Sequence, residues 1–512
     1  MKNHGNGSLA RWGIFAGVAA GLFALLWIGW TLVGRQHATP QGGSIHSDTT
    51  LSVGLRNAPA SLDLFSDDTV SAQAAARVLI GNVVETLVEL DQNNTPQPGL
   101  ASEWKVSDDG LSYTFTMRRG VRFSNGHDLT ASDVVYSLQR AINGKVADVD
   151  QLGSLSSVEA VDDSTVSITL TKPNPVLPRV LAGRLGVVFD EQSNADDEGT
   201  PVGSGPYTVG AFEAGKSMTL NGNDSYWGEA SGPGTVTLHY YDDDAAMIAA
   251  LRNSTIDMAL PDDVSAADTV GSDSAFTVST GMTTSSVVMV FNQSGDSITS
   301  DEQVRKAIRN TLDLNAIIAS QPDAAQGLGG PLTPLEPGYE DLTGLYPHDI
   351  AQARSRLSYF SSHYLGTIDF VVPHQYEALA QTIVGQMQEA GLNVRVEALS
   401  DGEVSQRIAD NSYDMTIIVT PGNNNASQFS QSASPYYYED EEAQQAYAQA
   451  MEATNDNDFQ DRIRSYAHIV AEDAASGWLY ARKGTVVAKS SVTGYPTAMV
   501  DQHLRFDSIA VQ

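Results

Sequence analysis

The amino-acid sequence predicts an α/β protein of several domains that follows one N-terminal transmembrane helix. Three observations support this prediction. The 512 residues, 41% of them hydrophobic, suffice for a large core and exceed the length of one ordinary domain. Amphipathic helices alternate with apolar strands in the second half, which is the pattern of α/β layers. Residues 12–34 contain no charged side chain and are numerous enough to cross a bilayer as a helix.

The N-terminal segment is predicted to be an uncleaved signal anchor. Lys2 and Arg11 precede the apolar stretch, and tryptophans lie near both of its ends. This positive flank places residues 1–11 in the cytoplasm as a short tail and the rest of the chain outside it. Because no good small-x-small cleavage site follows, we expect an anchor at 12–34 rather than a cleaved signal peptide. The polar residues 35–47 then form a linker.

Strands dominate the first half of the folded part. Alternation of apolar and polar residues, interrupted by turn formers, predicts strands or hairpins within residues 50–57, 111–123, 158–170 and 207–220. Apolar residues three or four positions apart predict helices at 73–90 and 130–142. The second of these helices begins with Thr130 as N-cap and has Asp133 three residues later, a favourable helix start.

Helices and strands alternate in the second half. Helical periodicity predicts helices at 244–253, 300–320, 348–360, 377–391 and 459–474. Short apolar runs rich in β-branched residues predict strands at 285–292, 367–372, 393–399 and 413–419. This succession predicts a sheet covered by helices.

Residues 210–217, GAFEAGKS, match the pattern G-x-x-x-x-G-K-[ST] of a phosphate-binding loop. Such a loop needs a helix that begins at its Lys-Ser, because the N–H groups of the helix N-terminus bind the phosphates. Here a strand-like Met-Thr-Leu follows, and then Asn-Gly-Asn, a run of turn formers. The sequence therefore predicts a β-hairpin and no nucleotide site.

Composition and motifs exclude several classes of function. A net charge of −33 opposes binding to phosphate backbones, so no nucleic-acid partner is predicted. The absence of cysteine excludes disulfides, thiolate metal ligands and a cysteine nucleophile. No H-x₃-H, HEXXH or G-x-S-x-G motif occurs. We therefore expect neither an enzyme nor a metal or other cofactor.

Three blocks of sequence carry recognisable motifs. Residues 98–141 contain a pattern of Trp, Asp-Asp-Gly, Tyr-Thr-Phe and Asp-Val-Val-Tyr-Ser. Residues 201–228 contain Gly-Ser-Gly-Pro-Tyr and Asn-x-x-Tyr-Trp, and residues 301–318, DEQVRKAIRNTLDLNAII, form the third block. These blocks resemble the oligopeptide, dipeptide and nickel-binding group of extracytoplasmic solute-binding proteins of ABC importers, family 5. Weaker matches at 379–397 and 413–419 follow in the order expected for that family.

The resemblance implies a two-lobed, hinged, periplasmic-binding-protein-like α/β fold that closes on a ligand, with an extra β-rich domain inserted early. The expected inserted domain spans residues 71–197. Lobe I is expected from residues 48–70, 198–290 and 478–512, and lobe II from residues 291–477.

Loops at strand ends near the hinge are the candidate ligand site, because ligands of such proteins bind in clefts with convergent polar groups. The candidate residues are Asn57, Ala58, Pro59, Thr283, Thr284, Asn292, Thr420, Pro421, Gly422, Asn423, Asn424 and Tyr436. The loop after residues 413–419 is also able to pair with an extended peptide as an added strand. It contains no acidic residue, whereas peptide-binding relatives often have an Asp there for the peptide amine. Recognition of a free amino terminus by that route is not expected.

These features predict a membrane-anchored, monomeric solute-binding protein. Its partners would be a peptide or other small-molecule ligand, the permease subunits of an ABC transporter, and the membrane through the N-terminal helix. Two alternatives stay open. The same fold would also suit an oligosaccharide or a metal chelate, for which His374 is a candidate ligand. A non-transport sensory or structural surface protein is the other alternative.

Overall fold

The computed structural model describes residues 46–193, 200–420, 422, 425–431, 436–497 and 503–512. From Ser44 to Gln512 the chain forms one compact unit. The predicted anchor at 12–34 and nearly all of the predicted linker lie outside the described residues. Within the described part of the chain, no helix combines the length and apolarity needed to cross a membrane.

The described residues form helices α1 to α12 and strands β1 to β19. The helices are α1 Thr69–Leu79, α2 Ala131–Asn143, α3 Leu177–Val180, α4 Asp244–Arg252, α5 Glu302–Thr311, α6 Leu314–Ser320, α7 Ile350–Leu357, α8 Ser362–Leu365, α9 Glu377–Glu389, α10 Asp401–Ala409, α11 Glu441–Met451 and α12 Asp456–Glu472. The strands are β1 Ser47–Leu55, β2 Val88–Leu90, β3 Pro96–Pro98, β4 Ala101–Val106, β5 Ser112–Met117, β6 Leu155–Asp162, β7 Thr165–Leu170, β8 Tyr207–Glu213, β9 Ser217–Gly222, β10 Pro233–Tyr240, β11 Met258–Ala259, β12 Phe276–Phe291, β13 Ala324–Gly327, β14 Ile368–Pro373, β15 Val394–Leu399, β16 Met415–Thr420, β17 Ser476–Lys489, β18 Val492–Thr493 and β19 Ala510–Val511.

One large mixed sheet runs through both lobes. Among the described residues its order is β15-β14-β16-β12-β17-β11-β1-β10-β9-β8, and β13 pairs with β17 off this path. In lobe I, β1 runs parallel to β10 and β11. In lobe II, β14 runs parallel to β15 and β16. Separate clusters of buried apolar side chains cover the two halves of the sheet, as expected for two lobes with their own cores.

Two long antiparallel strands, β12 and β17, connect the halves of the sheet. Residues 276–282 of β12 pair with 483–489 of β17, and residues 286–290 pair with 476–481. The register shifts between Met282 and Ser286, so the ladder is interrupted between the two halves. A short break in paired strands is a geometry that permits hinge bending. The predicted lobe boundaries at 290/291 and 477/478 fall at the lobe II ends of these strands and stay predictions.

The predicted inserted domain contains a separate antiparallel sheet in the order β4-β5-β7-β6, with its own apolar core. Helix α2 begins at the predicted N-cap. The backbone N–H and the hydroxyl of Thr130 donate to Asp133 Oδ2 at 2.7 and 2.9 Å. Helix α1 spans the predicted domain start at residue 71, and its buried face packs into the core of lobe I.

Two predicted helices have different bounds in the structure. The helix predicted at 73–90 ends at Leu79, because Ile80 is extended and Gly81 has a φ of 79°. The apolar residues beyond it are buried in irregular chain and in β2. The segment 300–320 forms two helices, since Leu312 is extended and Asp313 begins α6 by accepting a hydrogen bond from Ala316 N–H at 3.0 Å.

Residues 210–217 form a hairpin, as predicted. Strand β8 turns into β9 at Gly215, which has a φ of 76°, and the Lys216 ammonium pairs with the Glu213 carboxylate across the turn. A strand and not a helix follows Lys216, so the helix that a phosphate-binding loop requires at its Lys-Ser is not formed. The phosphate-loop pattern therefore has no structural counterpart.

A buried carboxylate joins the inserted domain to lobe I. Glu85 is 3% exposed. It accepts hydrogen bonds from Ser204 Oγ at 2.7 Å, Trp227 Nε1 at 2.9 Å and Tyr226 OH at 3.1 Å. Three donors are what a buried carboxylate needs for compensation. The second block of family resemblance, residues 201–228, thus supplies the partners of one buried acid.

Candidate ligand-binding cleft

The carboxyl ends of the parallel strands form two edges that flank the hinge. In lobe I, β1, β10 and β11 end at Leu55, Tyr240 and Ala259. In lobe II, the corresponding ends are Pro373, Leu399 and Thr420. Loops at the carboxyl ends of strands are the usual ligand positions in α/β sheets. The cleft between these edges is therefore the candidate site.

Asn57, Ala58 and Pro59 lie at the lobe I edge, directly after β1. Asn57 is exposed, has a φ of 52°, and donates from Nδ2 to Asp262 Oδ2 at 3.4 Å. Pro59 is buried, and its carbonyl accepts the N–H of Gly215 at 3.4 Å. The hairpin that carries the false phosphate motif thus supports a loop of the cleft.

Thr284, Thr420 and Gly422 meet at the lobe II side of the hinge. Thr420 Oγ1 accepts the N–H of Ser286 at 3.0 Å, which ties the end of β16 to β12. Gly422 has a φ of 88°, and a Cβ at that position would lie 2.2 Å from Thr284 Oγ1. Glycine is required here both for the left-handed backbone and for the close approach. The structure brings these three predicted residues together.

Thr283 lies beside an ion pair at the hinge. Its hydroxyl donates to the carbonyl of Arg482 at 3.1 Å. Arg482 Nε lies 2.7 Å from Asp323 Oδ2, and Tyr480 OH donates to Asp323 Oδ1 at 3.0 Å. The pair ties β17 to the start of β13 at the point where the sheet changes lobes.

Asn292 and Tyr436 lie away from this group. Asn292 directly follows β12, and at about 3.3 Å per residue it is separated from Thr284 by about half of the strand length. Its Nδ2 donates to Tyr413 O at 2.6 Å and Asn411 Oδ1 at 2.8 Å, so the amide closes a turn of lobe II. The carbonyl of Tyr436 accepts the N–H of Gln293, and burial raises the pKa of its phenol to about 12. Pro421, Asn423 and Asn424 lie outside the described residues.

A cavity of about 530 Å³ lies between residues 94–185, in the predicted inserted domain, and residues 332–463, in predicted lobe II. None of the residues that line this cavity is among the candidate site residues predicted from the sequence. From the inserted domain it is lined by Asn94, Asp148, Asp150, Lys172, Asn174, Arg179, Arg184 and their neighbours. From lobe II it is lined by Leu332, Glu336, Ser427, Gln431, Tyr447, Met451, Phe459, Ile463 and neighbours. Its volume is that of sites for small molecules.

The two walls also touch each other beside the cavity. Asn94 Nδ2 donates to the carbonyl of Leu335 at 2.9 Å. Val176 of the inserted domain packs against the apolar core cluster of lobe II. These contacts join the two walls at one side of the cavity.

The wall formed by the inserted domain is charged and polar. Arg179 donates to the carbonyl of Asn94, and Arg184 donates to Leu64 O and Ala147 O at 3.3 and 3.1 Å. Burial lowers the pKa of Arg179, while the negative charges of Asp456, Asp91 and Glu336 oppose that shift. A guanidinium stays charged and has five N–H donors, so Arg179 retains donors for a ligand carbonyl or carboxylate.

Asn174 holds the same wall together. The residue is 3% exposed, and its Nδ2 donates to Gln151 O at 2.9 Å. Its Oδ1 is buried and has no hydrogen-bond partner within the described part of the chain. Because this oxygen has almost no accessible surface, a ligand in the cavity would contact it only after the side chain had moved.

The family follows from the sequence match. Residues 95–444 match the model of bacterial extracellular solute-binding proteins, family 5 Middle. The chain belongs to this family. Its relatives are solute-binding proteins of ABC transporters and not enzymes, which agrees with the prediction from the sequence. Among the described residues, no group of acidic and histidine side chains is arranged to hold a metal ion.

Known proteins agree with this membership. The chain is 33% identical over 234 residues to a putative ABC transporter peptide-binding protein of Brucella ovis, covering 43% of this chain and 44% of that protein. It spans about half the length of the curated relatives it matches.

Solved structures share the fold. The substrate-binding protein CtaP of Listeria monocytogenes has a TM-score of 0.79 at 20% identity, covering 91% of this chain and all of that one. DppA of Helicobacter pylori in complex with the peptide STSA has a TM-score of 0.71 at 21% identity, covering 91% and 98%. The two-lobed periplasmic-binding-protein-like fold is thereby confirmed.

Proposed function

We propose that this chain is a membrane-anchored, monomeric solute-binding protein that captures an oligopeptide-like ligand outside the cytoplasm and delivers it to the permease of an ABC transporter. The observation that carries the proposal is the cavity between the predicted inserted domain and predicted lobe II, in a member of family 5. Arg179 lies on one wall and has N–H donors beyond its bond to the Asn94 carbonyl, which supports a ligand with carbonyl or carboxylate oxygens such as a peptide.

Peptide-binding relatives support this choice of ligand, as does the solved DppA complex with a peptide. The uncharged residues 12–34 support anchoring, because the family's usual lipid-modified cysteine is absent. Ligand capture would occur by bending at the break between β12 and β17, and the closed form would dock on the permease. ATP would be hydrolysed by another subunit.

Native mass spectrometry of the full-length chain in lipid nanodiscs tests the ligand. We expect a ladder of bound masses that fragment as peptides in tandem spectra. Bound species that fragment as sugars or metal chelates would refute the peptide assignment. If the protein is bare, titration with a panel of short peptides follows, and failure of every member would refute it.

Small-angle scattering tests closure. The radius of gyration should decrease when a proven ligand is added. An unchanged radius at saturation would contradict hinge closure.

A further inference from the structure

The part of the cavity wall formed by α11 and α12 is apolar, in contrast to the opposite wall. Tyr447 and Met451 lie four residues apart on α11, and Phe459 and Ile463 lie four residues apart on α12. Side chains at this spacing share one face of a helix. A short turn joins the two helices, so the two faces adjoin and form one apolar surface.

The four side chains differ in how they meet the cavity. Phe459 and Ile463 are each 4% exposed and belong to the core of lobe II. Tyr447 and Met451 are half-buried at the rim of that core. The Tyr447 ring packs edge-on against Tyr466 at 5.2 Å. Tyr447 is therefore a supported aromatic surface, which favours contact with an apolar ligand group.

Tyr466 is itself held in place. Its hydroxyl donates to the carbonyl of Ala426 at 2.6 Å, in the segment that follows the predicted ligand loop. The apolar surface is thus connected by a hydrogen bond to the segment 425–431, which follows β16 in the chain. This arrangement preorganises the wall before a ligand arrives.

We infer that the cavity selects short peptides with a large apolar side chain, which packs on Tyr447 and Met451 while the peptide backbone faces Arg179. This inference rests on the proposed peptide-binding function and deepens it. A sugar would leave the apolar wall without a matching surface, and a wholly polar peptide would gain nothing from it. Burial of a leucine-sized side chain predicts roughly 10- to 100-fold tighter binding than burial of a serine.

The test is isothermal titration of the full-length chain in nanodiscs with Ala-Leu-Ala and Ala-Ser-Ala. We expect the leucine peptide to bind at least about 10-fold more tightly. Equal affinities, or a preference for serine, would overturn the inference and leave peptide binding intact. If no peptide of any composition binds, the proposed function falls and this inference falls with it.

Matched variants test whether the preference for leucine over serine comes from the apolar wall. Met451→Gln keeps the side-chain length and should reduce the preference for leucine to less than about 3-fold, because the apolar contact is lost. The reverse exchange, Gln449→Met on the exposed face of α11, should leave the preference for the leucine peptide unchanged. Tyr447→Ala is a second variant, in case Met451→Gln fails to fold. Leucine selectivity that survives both substitutions in folded protein would overturn the assignment of this wall.

Discussion

Replacing Glu85 with glutamine is expected to remove a pH-dependent cost of folding. Burial raises the pKa of this carboxyl from 4.5 to about 7, although hydrogen bonds from Trp227, Ser204 and Tyr226 favour the charged form and oppose that shift. Between these two pKa values the native state binds more protons than the unfolded state. The free energy of unfolding therefore decreases as pH rises through this window.

The size of the effect follows from the width of the window. At about 1.4 kcal/mol per pH unit, a carboxyl that titrates near 7 instead of 4.5 costs about 3 kcal/mol once the pH is above 7. Glutamine cannot ionise, and its amide oxygen still accepts from Trp227 or Ser204. Because the unfolded carboxyl is already partly ionised at pH 5, the stability of Glu85→Gln relative to the wild type should improve by about 2.5 kcal/mol from pH 5 to pH 8.

Guanidinium unfolding at pH 5 and pH 8 measures this difference. Tryptophan fluorescence and circular dichroism should be recorded together, because coincident transitions justify a two-state analysis. Glu103→Gln, at an exposed position of β4, is the matched control and should show no such pH-dependent gain. A difference between wild type and Glu85→Gln that stays constant from pH 5 to pH 8 would refute the reasoning.

Three further substitutions have expected outcomes. Gly422→Ala should lower the free energy of unfolding by about 1–3 kcal/mol, because of the left-handed backbone and the close contact with Thr284. Gly402→Ala in α10, where a Cβ has open space and the helix favours alanine, should leave the free energy of unfolding unchanged or raise it by up to about 1 kcal/mol in the same assay. Lys216→Ala should leave melting and peptide binding unchanged, and ATP should not stabilise either form; a rise in melting temperature with ATP would contradict the hairpin interpretation. Asp133→Ala should lower the free energy of unfolding by about 1–2 kcal/mol through loss of the capping interactions at α2, and an unchanged value in denaturant would contradict that role.

Local patterns predicted elements well where polar and apolar residues alternate sharply. The hairpin at 207–220 and helix α2 with its capping box are examples, since short-range turn and cap chemistry determines them. Helices α10 and α11 were not predicted. The buried residues of α11 are Ala443 and Ala450, and the one buried residue of α10 is Val404. With so few large apolar residues, the helical period is weak in the sequence.

The residues of the candidate site likewise divide into those that local sequence patterns indicated and those that they did not. The sequence predicted that Thr284, Thr420 and Gly422 lie near one another, because the ends of the predicted strands at 285–292 and 413–419 are clear in it; their role in ligand binding stays a prediction. Asn292 was selected by the same logic, yet its amide is used within a turn of lobe II. No motif or periodicity in the sequence marked Arg179 or Met451 as a candidate site residue. Arg179 lies in a short helical turn, and Met451 lies in a helix that was not predicted.

By itself, the sequence determined the family, the α/β class, the absence of a phosphate loop and the approximate positions of most strands, because motifs and periodicity are local properties of a chain. The tertiary structure alone decided where the sheet changes lobes and which surfaces enclose a cavity. Register between β12 and β17 depends on pairing of segments far apart in the chain. The charged wall near Arg179 and the apolar wall near Met451 come from different domains, and only their packing makes them two sides of one site.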